Sequence, residues 1–125
     1  MKKKRVLIID GELSIADAME SILADGGYEA VKSLTGLGAL AAAAKTTFDL
    51  AIVDLRLPDM GGLDVLNKIL QLNPNMIAIL TSSYEIAPGW TTESAIRGVL
   101  VKPFSPADLM ETASAVLALR DRPVP

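Results

Sequence analysis

Residues 50–62 read Leu-Ala-Ile-Val-Asp-Leu-Arg-Leu-Pro-Asp-Met-Gly-Gly, an apolar run closed by Asp54 and followed by a turn-forming segment. A short, wholly apolar run bounded by turn residues is the pattern of a strand covered on both faces. Three other stretches repeat it: residues 6–9 lead into Asp10, residues 76–80 into Thr81, and residues 99–101 into Lys102. In an open parallel α/β sheet, ligands and chemistry gather at the carboxyl ends of the strands. Two carboxylates, a hydroxyl and an ammonium collected there suit a divalent cation and a phosphoryl group. Gly11 follows Asp10, where a second acid would complete a strong cation pocket.

Working outward, apolar runs alternate with amphipathic stretches, as in a chain of βα units. Strands are expected at residues 5–9, 28–32, 50–54, 76–81 and 99–102. Ile15, Met19, Ile22 and Leu23 recur at helical spacing, and Gly26–Gly27 stop that helix. Thr35 can cap an alanine-rich helix reaching Lys45. Leu63, Leu66, Ile69 and Leu70 mark another helix, ended near Asn73 and Pro74. Ser105 and Pro106 open a last one, whose apolar face is Leu109, Ala113, Val116 and Leu117. Between residues 82 and 97, Pro88 and Gly89 should delay or shorten any helix. Right-handed crossovers then give a doubly wound, five-stranded parallel sheet with helices on both faces. Residues 1–119 form one domain, and residues 120–125 read as a tail or the start of a linker.

Composition narrows the chemistry. A chain of 125 residues is long enough for its own core, here an aliphatic one, since aromatics make up 4%. The net charge of −3, with no basic stripe, argues against a nucleic-acid surface. Without cysteine, disulfides and thiolate chemistry are excluded; without histidine, so are Ser-His catalysis and phosphohistidine donation. No apolar stretch is long enough for a bilayer span, and Asp10 and Glu12 interrupt any signal-peptide pattern, so a cytoplasmic protein is expected.

Four motifs in order carry a resemblance over nearly the whole chain. The segment Val6-Leu7-Ile8-Ile9-Asp10-Gly11-Glu12 resembles the opening of bacterial response-regulator receiver domains. Asp54-Leu55-Arg56-Leu57-Pro58-Asp59-Met60-Gly61-Gly62 is similar to their phosphoacceptor loop. Thr81-Ser82 and Lys102-Pro103-Phe104 match the hydroxyl and lysine positions after the fourth and fifth strands. The resemblance implies a flavodoxin-like sheet of order 2-1-3-4-5. It makes Asp54 the phosphoacceptor, Thr81 the hydroxyl that bonds a phosphoryl oxygen, and Lys102 the charge that pairs with Asp54 or the phosphoryl group. It implies Mg²⁺ held by Asp10, Asp54 and the Arg56 backbone carbonyl, weakened because Gly11 stands where an acid is usual; Glu12 is a doubtful substitute. The Arg56 guanidinium could instead serve as a fixed positive charge near Asp54. Receivers also use a cis Lys-Pro bond to aim the lysine inward.

The same resemblance implies partners: a sensor histidine kinase or phosphotransfer protein as donor, and an output domain beyond Pro125 or a separate effector. A homodimer through the fourth helix, fifth strand and fifth helix is a further expectation. Neither nucleic acid nor membrane is expected to bind this domain. Receivers usually carry Tyr or Phe three positions before the lysine; here that position is Val99, with no large rotor. Gly11 and Val99 together support a second reading, a pseudo-receiver acting as a phosphorylation-independent interaction module. Trp90 is either a partner contact or a cover for a shortened helix. A haloacid-dehalogenase-type phosphatase starting at Asp10-Gly11-Glu12 would leave Asp54 and its loop unexplained. The domain is therefore read as no enzyme beyond assisting its own phosphorylation and dephosphorylation.

Overall fold

The computed structural model describes residues 2–87 and 89–122. Its elements are β1 (Arg5–Ile9), α1 (Leu13–Asp25), β2 (Glu29–Ser33), α2 (Gly36–Lys45), β3 (Leu50–Asp54), α3 (Gly62–Leu72), β4 (Ile77–Ser82), β5 (Ile96–Val101) and α4 (Pro106–Arg120). All pairings are parallel and the strand order is β2-β1-β3-β4-β5, as expected. The register aligns Ile8 with Ile52, and Ile52 with Ile79, so alternate residues line opposite faces. One face packs Val6, Ile8, Leu50, Ile52 and Ile79 against α1 and α4. The other packs Leu7, Ile9, Ala51, Val53 and Leu80 against α2 and α3. β3 and β4 are buried nearly throughout, which is why their sequences are apolar runs rather than alternations.

The helix ends follow local chemistry. Thr35 caps α2 by accepting from Gly38 N–H, and Ser105 with Asp108 forms a capping box on α4. α2 has a second cap from outside. Asp59, in the loop after β3, accepts from Gly36 N–H at 2.8 Å and Leu37 N–H at 2.9 Å. Those bonds, the Gly36 one foremost, hold the Asp59 carboxyl below its usual value. The loop after Asp54 is thereby tied to the start of α2.

Three sequence expectations change. First, among the described residues no helix forms between β4 and β5, so the expected fifth helix is α4 and a dimer face containing a fourth helix does not exist in that form. The segment instead bonds to itself through side chains: Thr91 Oγ1 accepts from Glu93 N–H and Glu93 Oε1 from Ala95 N–H, while Gly89 takes φ +80°. Such local bonds offer the backbone an alternative to helix; Pro88 lies outside the described residues. Second, β5 begins three residues earlier than expected. Arg97 and Gly98 masked it, but an edge strand tolerates both. Third, the last helix includes Arg120, whose guanidinium binds the Asp49 carboxylate and backbone carbonyl, each at 3.0 Å, while Lys4 pairs with Asp121 at 2.9 Å. Chain expected to be tail is thus bound to the domain, and residues 123–125 lie outside the described ones.

Two variants test this frame. A Cβ at Gly62 would stand 2.1 Å from the Asp54 carbonyl oxygen, a backbone atom. The helix-propensity gain of about 1 kcal/mol is smaller than the roughly 1–3 kcal/mol or more of an overpacked contact. Gly62→Ala should therefore lower the urea midpoint. Asp59→Asn should destabilise at pH 7. Because a depressed carboxyl pKa contributes stability above its unfolded value of about 3.9, that difference should fade as the pH falls below it.

Candidate phosphoacceptor site

Asp10, Asp54 and Lys102 meet at the carboxyl ends of β1, β3 and β5. Asp10 is fully buried and Lys102 and Asp54 nearly so. Lys102 Nζ lies 2.9 Å from Asp10 Oδ2 and 3.0 Å from Asp54 Oδ2. The other two carboxylate oxygens are held by backbone: Asp10 Oδ1 accepts from Glu12 N–H at 2.9 Å, and Asp54 Oδ1 from Arg56 N–H at 3.2 Å. Burial acts to lower the Lys102 pKa, but its contacts with Asp10 and Asp54 outweigh that and hold it above the ordinary lysine value. The ammonium therefore stays charged throughout the neutral range. Removing one partner from such a buried set costs about 3–5 kcal/mol, because a charge is left unpaired. The Lys102–Pro103 peptide is cis, and Lys102 N–H donates to Ser82 O at 2.7 Å, which fixes the root of the side chain.

A pocket of about 280 Å³ opens at this end of the sheet, lined by Glu12, Asp54, Arg56, Ser82, Ser83, Tyr84 and Lys102, with Leu55. Thr81 is not among its lining residues. Thr81 is in register with Asp54 on the face of Ile79, is fully buried, and its Oγ1 has no hydrogen-bond partner among the described residues. The hydroxyls at the pocket are those of Ser82 and Ser83. Ser82 Oγ donates to Tyr84 O at 2.7 Å and accepts from Tyr84 N–H at 3.1 Å. Sequence reading gives Thr81 the hydroxyl role and Ser82 the small neighbour's place; in the sheet Thr81 shares the face of Asp54 but is covered, while Ser82, one residue on, reaches the pocket from the strand end. Tyr84 was missed; the Arg56 guanidinium lies 6.0 Å over its ring. Arg56 thus borders the pocket, while the cation between the carboxylates is Lys102. Glu12 is exposed at the rim.

The donor set is a poor fit to a hard dication in this arrangement. Mg²⁺ demands near-ideal octahedral geometry and usually keeps several waters, with one or two carboxylates and phosphate oxygens completing its shell, so the ammonium standing between the two carboxylates here is the obstacle. Among the described residues no three acidic side chains converge; three of the four oxygens of Asp10 and Asp54 accept hydrogen bonds, and the fourth, buried Asp10 Oδ2, has only its ion pair with Lys102 at 2.9 Å. The space an acid at position 11 would use is also taken: a Cβ on Gly11 would stand 2.9 Å from Pro58 Cδ, in a rigid ring.

The chain matches the response regulator receiver domain family over residues 6–114. It belongs to that family. A response regulator receiver protein of Anaeromyxobacter sp. (strain Fw109-5) is 35% identical over 81 residues, covering 65% of this chain and 34% of that protein. The chain thus spans about a third of that relative's length. A CheY-like receiver domain from Methanospirillum hungatei JF-1 superposes with a TM-score of 0.88 at 31% identity, covering 96% of this chain and 98% of that one. The receiver TrrA of Thermotoga maritima, solved in complex with Mg(2+)-BeF, gives 0.79 at 27% identity, with 90% and 98% covered. Receiver domains are modules of two-component signalling that interact with histidine kinases and are typically non-enzymatic. No helix among the described residues is long and apolar enough to cross a membrane.

The contact between positions 11 and 58 is testable. Gly11→Asp should destabilise by roughly 1–3 kcal/mol through overpacking against the proline ring. Pro58→Ala should relieve most of that, giving a coupling of about 1 kcal/mol in a double-mutant cycle followed by urea denaturation.

Proposed function

We propose that this domain accepts a phosphoryl group on Asp54 from the phosphohistidine of a sensor kinase or phosphotransfer protein. The observation that carries this is a carboxylate at a strand end, open to a pocket and held by a buried ammonium 3.0 Å away. A carboxylate oxygen of Asp54 attacks phosphorus, the bond to the donor nitrogen breaks, and the released imidazole takes up a proton. Charge builds on the phosphoryl oxygens during transfer, and Lys102 stands where it can neutralise part of it. The Ser82 hydroxyl lines the same pocket and would exchange its bond to Tyr84 O for one to a phosphoryl oxygen. That exchange would move the start of the loop after β4 and supply a local switch.

A groove of about 560 Å³ supports a protein donor rather than a small one alone. It runs between α1 and the Pro103–Phe104 turn, with Ile15, Met19, Ile22 and Phe104 in its wall, and shares Glu12 and Lys102 with the phosphoryl pocket. An apolar surface beside the acceptor suits a helix carrying the phosphohistidine. The pseudo-receiver is the second reading. It is favoured by Val99, which is 41% exposed on β5 and has no ring to swing, and by the lack of a helix between β4 and β5 among the described residues.

Intact-protein mass spectrometry after treatment with a small acyl-phosphate donor separates the two. The wild type should gain one phosphoryl adduct, Asp54→Asn should gain none, and Ser82→Ala should accumulate it more slowly. Thr81→Val should match the wild type in adduct and equal or exceed it in stability, since it removes a buried hydroxyl with no partner. An unmodified wild type under forcing conditions would select the interaction module.

A further inference from the structure

We infer that Lys102 is the resident cation of this site: its ammonium fills the place between Asp10 and Asp54 that a divalent cation would need, and phosphoryl acceptance proceeds without one. This rests on the phosphoacceptor reading of Asp54 and goes beyond it.

Four observations converge. Lys102 Nζ contacts one oxygen of each carboxylate, at 2.9 and 3.0 Å, so it is a bridge and not a simple pair. The remaining two oxygens accept from backbone N–H groups of Glu12 and Arg56, whose positions are set by the start of α1 and by the loop after β3. A dication would have to displace the ammonium and share oxygens already bonded to the backbone. No third acid offsets that, because position 11 is glycine and Pro58 occupies the adjoining space. Finally, the lysine is held in place: its side chain is 13% exposed and its own N–H is bonded to Ser82 O.

The ammonium can also do what the cation would do electrostatically, within limits. It has three N–H donors and no preferred coordination shell. One donor bonds Asp54 Oδ2, the charge pairs with buried Asp10 Oδ2 at 2.9 Å, and a further donor is available to an incoming phosphoryl oxygen. During transfer the contact to Asp54 can pass to a phosphoryl oxygen while the contact to Asp10 persists. Asp10 then acts as a positioning residue, holding the charge beside the acceptor. No bond to Lys102 forms or breaks, and the proton count on the ammonium does not change.

The intact chain is titrated with MgCl₂ alone by calorimetry, as wild type and as Lys102→Met, a variant of similar length without charge. The wild type should show no saturable uptake into the millimolar range. Lys102→Met, with both carboxylates released, should bind Mg²⁺ tighter by roughly tenfold or more, equivalent to about 1.4 kcal/mol. In parallel, wild type treated with the acyl-phosphate donor should form the Asp54 adduct equally well with Mg²⁺ or with EDTA. Saturable Mg²⁺ binding by wild type, unchanged in Lys102→Met, would overturn the inference, as would an adduct that EDTA abolishes. In both cases the phosphoacceptor reading survives. No adduct under any condition would remove that reading and the acceptance step with it, and the titration would still decide whether Lys102 holds the cation's place. If Lys102→Met fails to fold, wild-type uptake of Mg²⁺ decides it alone.

Discussion

One ammonium between two carboxylates ties three strands together at the end of the sheet where the chemistry lies. Asp10 is fully buried, and a buried carboxylate without a counter-charge would cost several kcal/mol. Lys102 supplies that charge from the far side of β3 and β4, so the three strand ends are placed relative to one another. The sheet order makes this possible. β1 and β3 are neighbours, and the Lys102 side chain, at the end of β5, reaches across β4 to both carboxylates. The loops then fill in around the bridge: Glu12 and Arg56 complete the carboxylates, and Ser82 and Tyr84 form the pocket wall.

Much of this was legible because buried parallel strands write themselves as unbroken apolar runs. β1 and β3 lie where those runs lie, and the polar residue ending each run reaches the site in three cases of four. The fourth, Thr81, shows the limit. It pairs in register with Asp54 and shares its face, yet it is fully buried, and whether a strand-end hydroxyl is covered depends on the loops above it, which the apolar pattern does not describe. The hydroxyl at the pocket comes from Ser82 instead. β5 was legible only at its apolar end, since an edge strand can carry Arg97 and Gly98. The bridge itself was half legible. Pairing of Lys102 with Asp54 follows from family resemblance, whereas its second contact, to Asp10, depends on distances that sequence does not contain.

The two faces of the sheet are covered unequally. α1 and α4 close one face, while the other has α2 and α3 and then the irregular segment leading into β5. Ile86 and Ile96 pack there from loop and strand rather than from a helix. Tyr84, Trp90 and Val99 are left about half exposed on that side. The bonds between Ser82 Oγ and the Tyr84 backbone join this segment to the phosphoryl pocket, two residues from an exposed aromatic ring.

The contact between Gly11 and the Pro58 ring makes two loops share one volume. A Cβ at 11 would stand 2.9 Å from Pro58 Cδ, so the loop carrying Asp54 lies this close to the start of α1 only while position 11 has no side chain. The glycine is clearance between the two loops, and a group added there displaces the phosphoacceptor loop before it contributes any charge.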